Sequence, residues 1–362
     1  MAAKDDSDGF SAQVRAFRPK YAAVFDHAAH AELKGKLPRG TKLLAPGLEG
    51  LTELASLKES DVVLNAISGS VGFAPLVASI RASKHIALAN KEPMVMAGET
   101  LMKEAARWNA RIIPVDSEPS AIFQCLAGVK GPDYSPAVSR IFLTASGGAF
   151  YRFKGSLKNV TPAAALKHPT WNMGPKITVD CATLMNKGLE AIEIKNFFSL
   201  PVSKIQVLVH PQSVIHSAVE FKDGSVLAQL SLPDMKLPIQ YALTWPERAR
   251  SLARPLDFFK LRSLEFFEPD FRRFPCLKLA YEAGRLGGSY PAVLNAANEV
   301  AVERFINGGA LFTDIPAIVE ETLALHHQRG RRPPTLAEAV EMDQWARTKA
   351  AEIAVHLKKK RK

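Results

Sequence analysis

The chain has 362 residues, of which 47% are hydrophobic and 23% charged, and these values exclude a disordered, fibrous or peptide-sized protein. A net charge of +11 favours polyanionic partners, but five of those charges belong to the last five residues, 358–362. The three cysteines are far apart and form no C-x-x-C pair, which predicts a reducing, cytoplasmic location and no zinc ribbon.

Targeting, membrane and nucleic-acid functions are not expected. The first ten residues, MAAKDDSDGF, lack the apolar core of a signal peptide and the basic character of a transit peptide. The uncharged stretch 62–80 contains glycine, proline and serine, which favours a strand, a turn and a short helix over a membrane span. The terminal Lys/Arg run has no interleaved aromatic residues, so it predicts a solvated tail and no nucleic-acid partner.

Helical and strand-like segments alternate over residues 1–115. Apolar spacing predicts helices at 10–17, 76–81 and 98–110, and strands at 21–25, 62–67, 86–89 and 111–115. Such alternation is typical of βαβ units on a parallel sheet, whose ligands lie beyond the carboxyl ends of the strands. Segments 90–92 and 116–118 each follow a strand directly and are therefore candidate ligand positions.

The rest of the chain predicts an α+β domain and then helices. Residues 116–245 contain alternating strands at 205–209, 214–221 and 226–230, with a hairpin turn at 222–224. A proline-containing linker, 246–270, precedes a helical domain, 271–362, with helices at 277–283, 292–305, 316–326 and from Leu336 onward. Thr335 and Glu338 have the spacing of a capping box that starts the last helix.

The tripeptide Asp116-Ser117-Glu118 has two interpretations. Two carboxylates at i and i+2 of an extended backbone project to the same side, as a hard divalent cation requires. The alternative is a cap on a helix at 120–126, and the tripeptide alone favours it. Glu190 could supply a third carboxylate for Mg²⁺ or Mn²⁺, or it could be an exposed helix glutamate.

An anion site is a second possibility. The turn Ser146-Gly147-Gly148 follows an apolar strand and could present N–H groups and a hydroxyl to a phosphate, although Gly-Gly is equally common in plain turns. Asn186 and Lys187 could contribute an amide donor and a positive charge to the same anion. The alternative is a helix start whose lysine faces water.

The loop 168–174 carries an imidazole, an indole and a thioether between a proline and a glycine. Trp171 and Met173 could close over a ligand, but an aromatic anchor to the core is the favoured interpretation from sequence. His210 and His216 could exchange protons in a reaction, yet isolated strand histidines are more often structural.

Together these features resemble the 1-deoxy-D-xylulose 5-phosphate reductoisomerase family, from about Phe17 to about Leu325. The seven segments that carry the resemblance, in family order, are 88–92 (LANKE), 114–118 (PVDSE), 146–148 (SGG), 168–174 (HPTWNMG), 185–190 (MNKGLE), 210–216 (HPQSVIH) and 294–299 (LNAANE).

The resemblance implies a homodimeric enzyme of isoprenoid precursor biosynthesis. Such an enzyme rearranges 1-deoxy-D-xylulose 5-phosphate and reduces it to 2-C-methyl-D-erythritol 4-phosphate, with NADPH and Mg²⁺ or Mn²⁺ as cofactors. It also implies three domains: a Rossmann-like domain at 1–115, a catalytic α+β domain at 116–245 and, after the linker, a helical domain at 271–362.

The resemblance also assigns roles to residues. It implies that Asp116, Glu118 and Glu190 bind the metal, that Trp171 and Met173 form a lid, and that Asn90, Glu92 and Gly174 contact NADPH. The implied catalytic residues are Lys91, Glu118, His168 and Glu190. The implied substrate-binding residues are Ser117, Glu118, Ser146, His168, Cys181, Asn186, Lys187 and Glu190.

The chain departs from the family pattern at three places. No Gly-rich strand–turn–helix for the NADPH pyrophosphate precedes Phe10, so we expect the dinucleotide domain to be incomplete at its N-terminus. Cys181 replaces a phosphate-binding serine, and Pro119 replaces a histidine. Because of these departures, the alternative to the enzyme is a non-catalytic relative that keeps the fold as a binding or interaction module.

Overall fold

The computed structural model describes residues 1–129, 133–327 and 332–360, so residues 361–362 of the basic tail lie outside the described residues. The chain forms two compact units. The first comprises Met1–Pro93 and Leu101–Ile113, and the second comprises Met94–Thr100 and Pro114–Lys362.

The first unit alternates strands and helices, as predicted. Its elements are β1 (Ala2–Ala3), α1 (Ser7–Phe17), β2 (Tyr21–Val24), α2 (His27–Leu33), β3 (Lys42–Leu43), α3 (Gly47–Ala55), β4 (Val62–Asn65), α4 (Phe73–Arg81), β5 (His85–Leu88), α5 (Glu92–Arg107) and β6 (Arg111–Pro114). The strands form two three-stranded sheets, β1-β2-β3 and β4-β5-β6, and the pairs β1–β2, β2–β3 and β4–β5 are parallel.

Local sequence explains several of these boundaries. Asp6 and Asp26 cap α1 and α2 by accepting a hydrogen bond from the N–H three residues later. Helix α5 begins at Glu92, six residues before the predicted start, because Pro93 fits the first helical turn. Ala97, at φ −149° and ψ 32°, interrupts α5, which explains why the periodicity favoured only the later part.

The second unit is built around a mixed sheet. Its elements up to the linker are α6 (Ser117–Cys125), β7 (Val138–Ala145), α7 (Pro162–Ala165), α8 (Pro175–Ala182), α9 (Met185–Phe198), β8 (Ile205–Val209), β9 (Ile215–Phe221), β10 (Val226–Leu230) and α10 (Lys236–Thr244). The strand order is β10-β9-β7-β8, in which β7–β8 is parallel and the other two pairs are antiparallel. The predicted hairpin turn before β10 is confirmed, with Gly224 at φ +86°.

Helices complete the second unit. They are α11 (Phe258–Leu261), α12 (Pro275–Leu286), α13 (Tyr290–Ile306), α14 (Asp314–Leu325) and α15 (Leu336–Lys360). The predicted capping box is confirmed, since Glu338 N–H donates to Thr335 Oγ1 (3.2 Å) and Thr335 N–H donates to Glu338 Oε2 (2.8 Å). The predicted linker contains the four-residue α11 and, at Phe267, an isolated antiparallel bridge to Val209.

Helix α9 lies at the centre of this unit. Every residue from Met185 to Phe198 is buried except Lys195, which explains why its sequence lacks a polar face. Gly188 allows close packing on α12, since a Cβ there would lie 2.3 Å from the Ala280 Cβ. The site residues that α9 carries are therefore held on a rigid, buried element.

The α/β fold with a helical C-terminal region is confirmed, whereas the division at residues 115, 245 and 270 stays a prediction. Among the described helices, none is both long enough and apolar enough to cross a bilayer.

Candidate functional site

Three carboxylates that the sequence proposed as metal ligands lie together in the second unit. Asp116, Glu118 and Glu190 each offer an oxygen within 4.8 Å of the other two. Asp116 follows β6 and caps α6, Glu118 lies in the first turn of α6, and Glu190 projects from α9. Three acidic groups this close repel one another unless positive charge lies among them.

The side chain of Lys187 supplies part of that charge. Its Nζ lies 2.5 Å from Glu118 Oε1 and 2.6 Å from Glu190 Oε2. Asn186 donates to Glu190 Oε1 (2.5 Å), and the Ser117 hydroxyl donates to Glu118 Oε2 (2.6 Å). The ammonium of Lys187 balances one of the three carboxylate charges. An all-carboxylate donor set without cysteine or histidine fits Mg²⁺ or Mn²⁺.

Of the two sequence interpretations of Asp116-Ser117-Glu118, the helix cap is confirmed and the metal site stays a prediction, whose argument from an extended backbone was wrong. Ser117 and Glu118 are helical, and α6 begins at Ser117, three residues before the predicted helix. Asp116 accepts a hydrogen bond from Ser117 N–H (3.1 Å) as the cap. The carboxylates therefore meet at a helix N-terminus, where negative side chains are stabilised.

Glu190 differs from the exposed helix glutamate that the sequence left open. Only 1% of the residue is accessible to solvent. Lys187 stands one turn earlier on α9 and does not face water, since it is 5% exposed. A carboxylate and an ammonium at this depth persist because they are paired with each other.

A second group of predicted residues surrounds the turn after β7. The Ser146 hydroxyl lies 2.9 Å from His168 Nε2 and accepts a hydrogen bond from Gly148 N–H (3.3 Å). His168 Nδ1 accepts from the backbone N–H groups of Thr170 (3.2 Å) and Trp171 (2.9 Å). Because Nδ1 accepts, the neutral ring carries its proton on Nε2 and donates it to Ser146.

Burial and the charge of Lys187 lower the pKa of His168 from 6.5 to about 4. The ring is therefore uncharged at neutral pH and able to donate from Nε2 only. That protonation state agrees with the tautomer that the hydrogen bonds require.

The Ser-Gly-Gly turn is more specific than a plain turn. Gly147 and Gly148 have φ of +86° and +67°, which other residues rarely adopt. A Cβ on Gly148 would lie 2.3 Å from the carbonyl oxygen of Cys181. The turn therefore packs directly on the last turn of α8, which carries Cys181.

The predicted lid residues lie between α7 and α8. Trp171 and Met173 are both half-buried, and the Trp171 ring lies 6.3 Å from that of His216, measured between centroids. Gly174 caps α8 at its N-terminus and has open space where a Cβ would be. The lid and cofactor roles of these residues stay predictions.

Three predicted residues belong to the first unit. Asn90, Lys91 and Glu92 are all buried, at the start of α5. Asn90 Nδ2 donates to the carbonyls of Ile67 and Gly69 (2.9 Å to the latter), and its Oδ1 accepts from Glu92 N–H (3.1 Å). Asn90 thus joins the turn after β4 to the start of α5.

The sequence favoured a structural role for both strand histidines, and only His210 fits that role fully. Its Nδ1 lies 2.9 Å from the Glu265 carbonyl oxygen, and its Nε2 accepts from Val214 N–H (3.2 Å). His216 also has a structural contact, since Nε2 lies 2.9 Å from Ser231 Oγ.

His216 nevertheless lies beside the carboxylate cluster. Burial lowers the pKa of the ring, while the charge of Glu118 opposes that shift. The sequence of segment 210–216 does not distinguish the role of His216 from that of His210. The fold distinguishes them, because it brings β9, which carries His216, next to α6.

The chain matches three family models along its length. These are DXP reductoisomerase models described as "1-deoxy-D-xylulose 5-phosphate reductoisomerase" (residues 1–98), "1-deoxy-D-xylulose 5-phosphate reductoisomerase C-terminal domain" (112–198) and "DXP reductoisomerase C-terminal domain" (230–349).

Curated relatives match over almost the same span. The 1-deoxy-D-xylulose 5-phosphate reductoisomerase of Elusimicrobium minutum is 50% identical over 100% of this chain and 91% of its own length. That of Pelotomaculum thermopropionicum is 51% identical over 94% of this chain and 87% of its own length.

Solved structures agree in fold. The Zymomonas mobilis reductoisomerase in complex with NADPH aligns with a TM-score of 0.86 and 41% identity, covering 98% of this chain and 90% of its own. A DOX-P reductoisomerase in complex with NADPH, fosmidomycin and magnesium aligns with a TM-score of 0.90 and 40% identity, covering 99% and 91%.

Proposed function

The chain belongs to the 1-deoxy-D-xylulose 5-phosphate reductoisomerase family, and we propose that it rearranges and reduces this substrate to 2-C-methyl-D-erythritol 4-phosphate. One observation supports the proposal most strongly. Oxygen atoms of Asp116, Glu118 and Glu190 lie within 4.8 Å of one another, and Lys187 pairs with two of these residues. Solved relatives bind NADPH and magnesium, so we propose the same cofactors, or Mn²⁺ in place of magnesium, for this chain.

The three carboxylates would hold the divalent cation. When bound, the cation polarises the substrate ketone and favours loss of a neighbouring hydroxyl proton. Glu118 and Glu190 are fixed by Ser117, Asn186 and Lys187, so their oxygens are oriented before substrate arrives. Preorganised groups of this kind lose little entropy on binding.

We propose that the substrate phosphate lies near the Ser-Gly-Gly turn. Ser146 offers a hydroxyl, and Asn186 and Lys187 offer an amide and an ammonium from the first turn of α9, where the helix dipole also favours an anion. Cys181 would be a weaker donor than the serine it replaces. Binding energy from this remote phosphate can orient the reacting end of the substrate.

His168 and the lid residues would complete the substrate site. Neutral His168 fixes the Ser146 hydroxyl through Nε2, so this hydroxyl presents its own proton to an anion. Trp171 and Met173 would cover the site and exclude water from a reactive intermediate. We assign Lys91 to substrate binding and catalysis, as a buried cation that follows β5.

NADPH would contact Asn90, Glu92 and Gly174 and supply the hydride for the reduction. Asn90 supports this proposal because it braces the turn 67–72, where a Cβ on Gly72 would lie 2.1 Å from Asn90 Nδ2. Such close approach of backbone to side chain fixes the turn beyond the carboxyl end of β4.

We also propose a homodimer in the cytoplasm. β10 is an edge strand with Val226 and Leu227 half exposed, and Phe259 on α11 is 95% exposed, so a second copy has an apolar surface to cover. All three cysteines are free, which suits a reducing compartment. No observation favours a non-catalytic module, which has no use for the carboxylate cluster.

The test is oxidation of NADPH by the full chain with 1-deoxy-D-xylulose 5-phosphate and Mn²⁺, with product identified by mass spectrometry. We expect turnover that requires both substrate and metal. NADPH oxidation that persists after chelation of the metal, or the absence of turnover in the presence of all three ligands, contradicts the proposal.

A further inference from the structure

Helix α13 carries a polar segment that the proposed reaction does not use. Its segment 294–299 marks the family resemblance, yet no role follows from that resemblance. Asn295 and Asn298 are both 0% exposed in a helix that is otherwise largely apolar. Buried amides are costly unless they make hydrogen bonds, so each must have a partner that explains its presence.

The partner of Asn298 is on α8. Its Nδ2 donates to Asp180 Oδ1 (2.8 Å), while Asp180 Oδ2 lies 2.9 Å from Lys176 Nζ. Asp180 is 1% exposed, so these two donors, rather than solvent, bind its carboxylate. The thiol of Cys276 on α12 lies close to Asp180 in the same environment. Its pKa is raised to about 12, mainly by burial and secondly by the charge of Asp180.

The last turn of α8 also meets the proposed phosphate end. Cys181, next to Asp180, places its carbonyl so close to Gly148 that no side chain fits between them. Gly148 in turn donates to Ser146 Oγ. Helix α8 therefore contacts both α13, which holds Asp180, and the turn that positions the Ser146 hydroxyl.

We propose, resting on the function proposed above, that Asn298 is a positioning residue for the substrate phosphate. By holding Asp180 it fixes the last turn of α8, which sets the position of Cys181 and of the Ser146-Gly147-Gly148 turn. Asn298 does not touch the substrate; it acts through α8. Without it, the half-exposed Lys176 is the one side chain in the described part of the chain that still holds the Asp180 carboxylate, and the phosphate end loses its fixed geometry.

Asn295 provides a matched control on the same helix. Its Nδ2 donates to Glu299 Oε1 (3.1 Å), and Glu299 pairs with Arg347 of α15. In both asparagines Oδ1 is buried and accepts no hydrogen bond from the described part of the chain. Leucine at either position removes the same atoms, so the two variants differ only in which carboxylate loses a donor.

The experiment is calorimetric titration of 1-deoxy-D-xylulose 5-phosphate, with Mg²⁺, into the full chain and its Asn298→Leu and Asn295→Leu variants. We expect Kd to rise about tenfold for Asn298→Leu, as small misplacements of binding groups do. For Asn295→Leu we expect a change within about twofold, with similar melting temperatures for both variants. Equal Kd values for the two variants overturn the proposal.

Asn298→Asp adds a readout that a merely structural role does not move. Two facing carboxylates can share one proton, so the carboxyl group introduced by Asn298→Asp can donate to Asp180 only when one of the two is protonated. We expect the Kd of Asn298→Asp, relative to the unsubstituted chain, to improve as the pH falls, while that of Asn298→Leu stays constant. A pH-independent ratio for Asn298→Asp overturns the proposal, even where the leucine variant folds poorly.

Ser146→Ala separates this proposal from the proposed function. If Ser146→Ala weakens binding and the two leucine variants bind equally, only the role of Asn298 is overturned. If the unsubstituted chain does not bind the ligand, or if Ser146→Ala binds it unchanged, the proposed phosphate site is overturned and the role of Asn298 with it.

Discussion

Two largely buried ionic groups in the second unit each combine carboxylates with a basic side chain, a lysine in one and an arginine in the other. In the carboxylate cluster, Asp116, Glu118 and Glu190 lie together, and the ammonium of Lys187 contacts Glu118 and Glu190. Between α13 and α15, Arg347 serves two carboxylates: it contacts Asp343 through Nε (2.7 Å) and Nη2 (3.1 Å), and Glu299 through Nη2 (2.6 Å).

The difference lies in donor geometry. A guanidinium has five N–H donors in a fixed, planar arrangement and can hydrogen-bond two carboxylates at the same time. An ammonium is a compact charge with three donors, and that of Lys187 balances one of three carboxylate charges, to which a divalent cation can also bind. We infer that the Arg347 group stabilises the fold, whereas the carboxylate cluster binds a cation.

We expect the largest effect on activity from a substitution within the carboxylate cluster. Glu190→Gln removes one metal ligand and should lower kcat about a thousandfold, since the cation contributes several kcal/mol to the reaction. Glu299→Gln is the matched substitution in the other group, and its kcat should stay within about threefold. Steady-state NADPH oxidation measures both, and comparable losses in the two variants would contradict the distinction.

Lys187→Met tests the response to an ion. Without divalent cation, the variant lacks the ammonium that pairs with Glu118 and Glu190 and should lose about 3 kcal/mol of unfolding free energy. Saturating Mg²⁺ should restore much of that loss, because a bound ion stabilises the native state. Urea unfolding with and without Mg²⁺ measures this. A variant whose stability is indifferent to Mg²⁺ argues against cation binding beside Lys187.

Arg347→Met tests the Arg347 group. It leaves Asp343 and Glu299 without their guanidinium and should cost about 2 kcal/mol, less than a fully buried pair because the Arg347 side chain is 31% exposed. Here Mg²⁺ should give no more stabilisation than in the unsubstituted chain. If Mg²⁺ restored the stability of Arg347→Met in the same unfolding assay, the Arg347 group would respond to the ion as the carboxylate cluster does, which would contradict the distinction.

The smallest expected effect concerns His168. Because its pKa is lowered from 6.5 to about 4, the unfolded chain binds more protons than the folded chain between these values. The contribution of the neutral ring is present above pH 6.5 and is lost as the pH falls towards about 4. Calorimetry should show the melting-temperature difference between the unsubstituted chain and His168→Gln shrinking over that range; a constant difference contradicts a neutral, buried ring.

The sequence predicted most elements because their periodicity is local. The βα alternation of the first unit, the hairpin before β10 and the Thr335 capping box are all decided by neighbouring residues. The carboxylate pair at Asp116 and Glu118 was also found, although by a strand argument that the helical backbone of α6 contradicts.

Non-local contacts account for what the sequence missed. The burial of Glu190 depends on the packing of α9 in the middle of the second unit, and the position of His216 depends on β9 lying next to α6. The link from Asn298 to Asp180 joins residues 118 positions apart. No local pattern encodes such a distance, so only the fold reveals it.

The most direct measurement of the central claim is a titration with Mn²⁺ followed by electron paramagnetic resonance. The unsubstituted chain should bind Mn²⁺ tightly at a single site, and Asp116→Asn and Glu190→Gln should each abolish that binding, while Glu299→Gln leaves it intact. Mn²⁺ binding that survives both substitutions in the cluster, or that disappears with Glu299→Gln, would contradict the assignment of Asp116, Glu118 and Glu190 as the metal site.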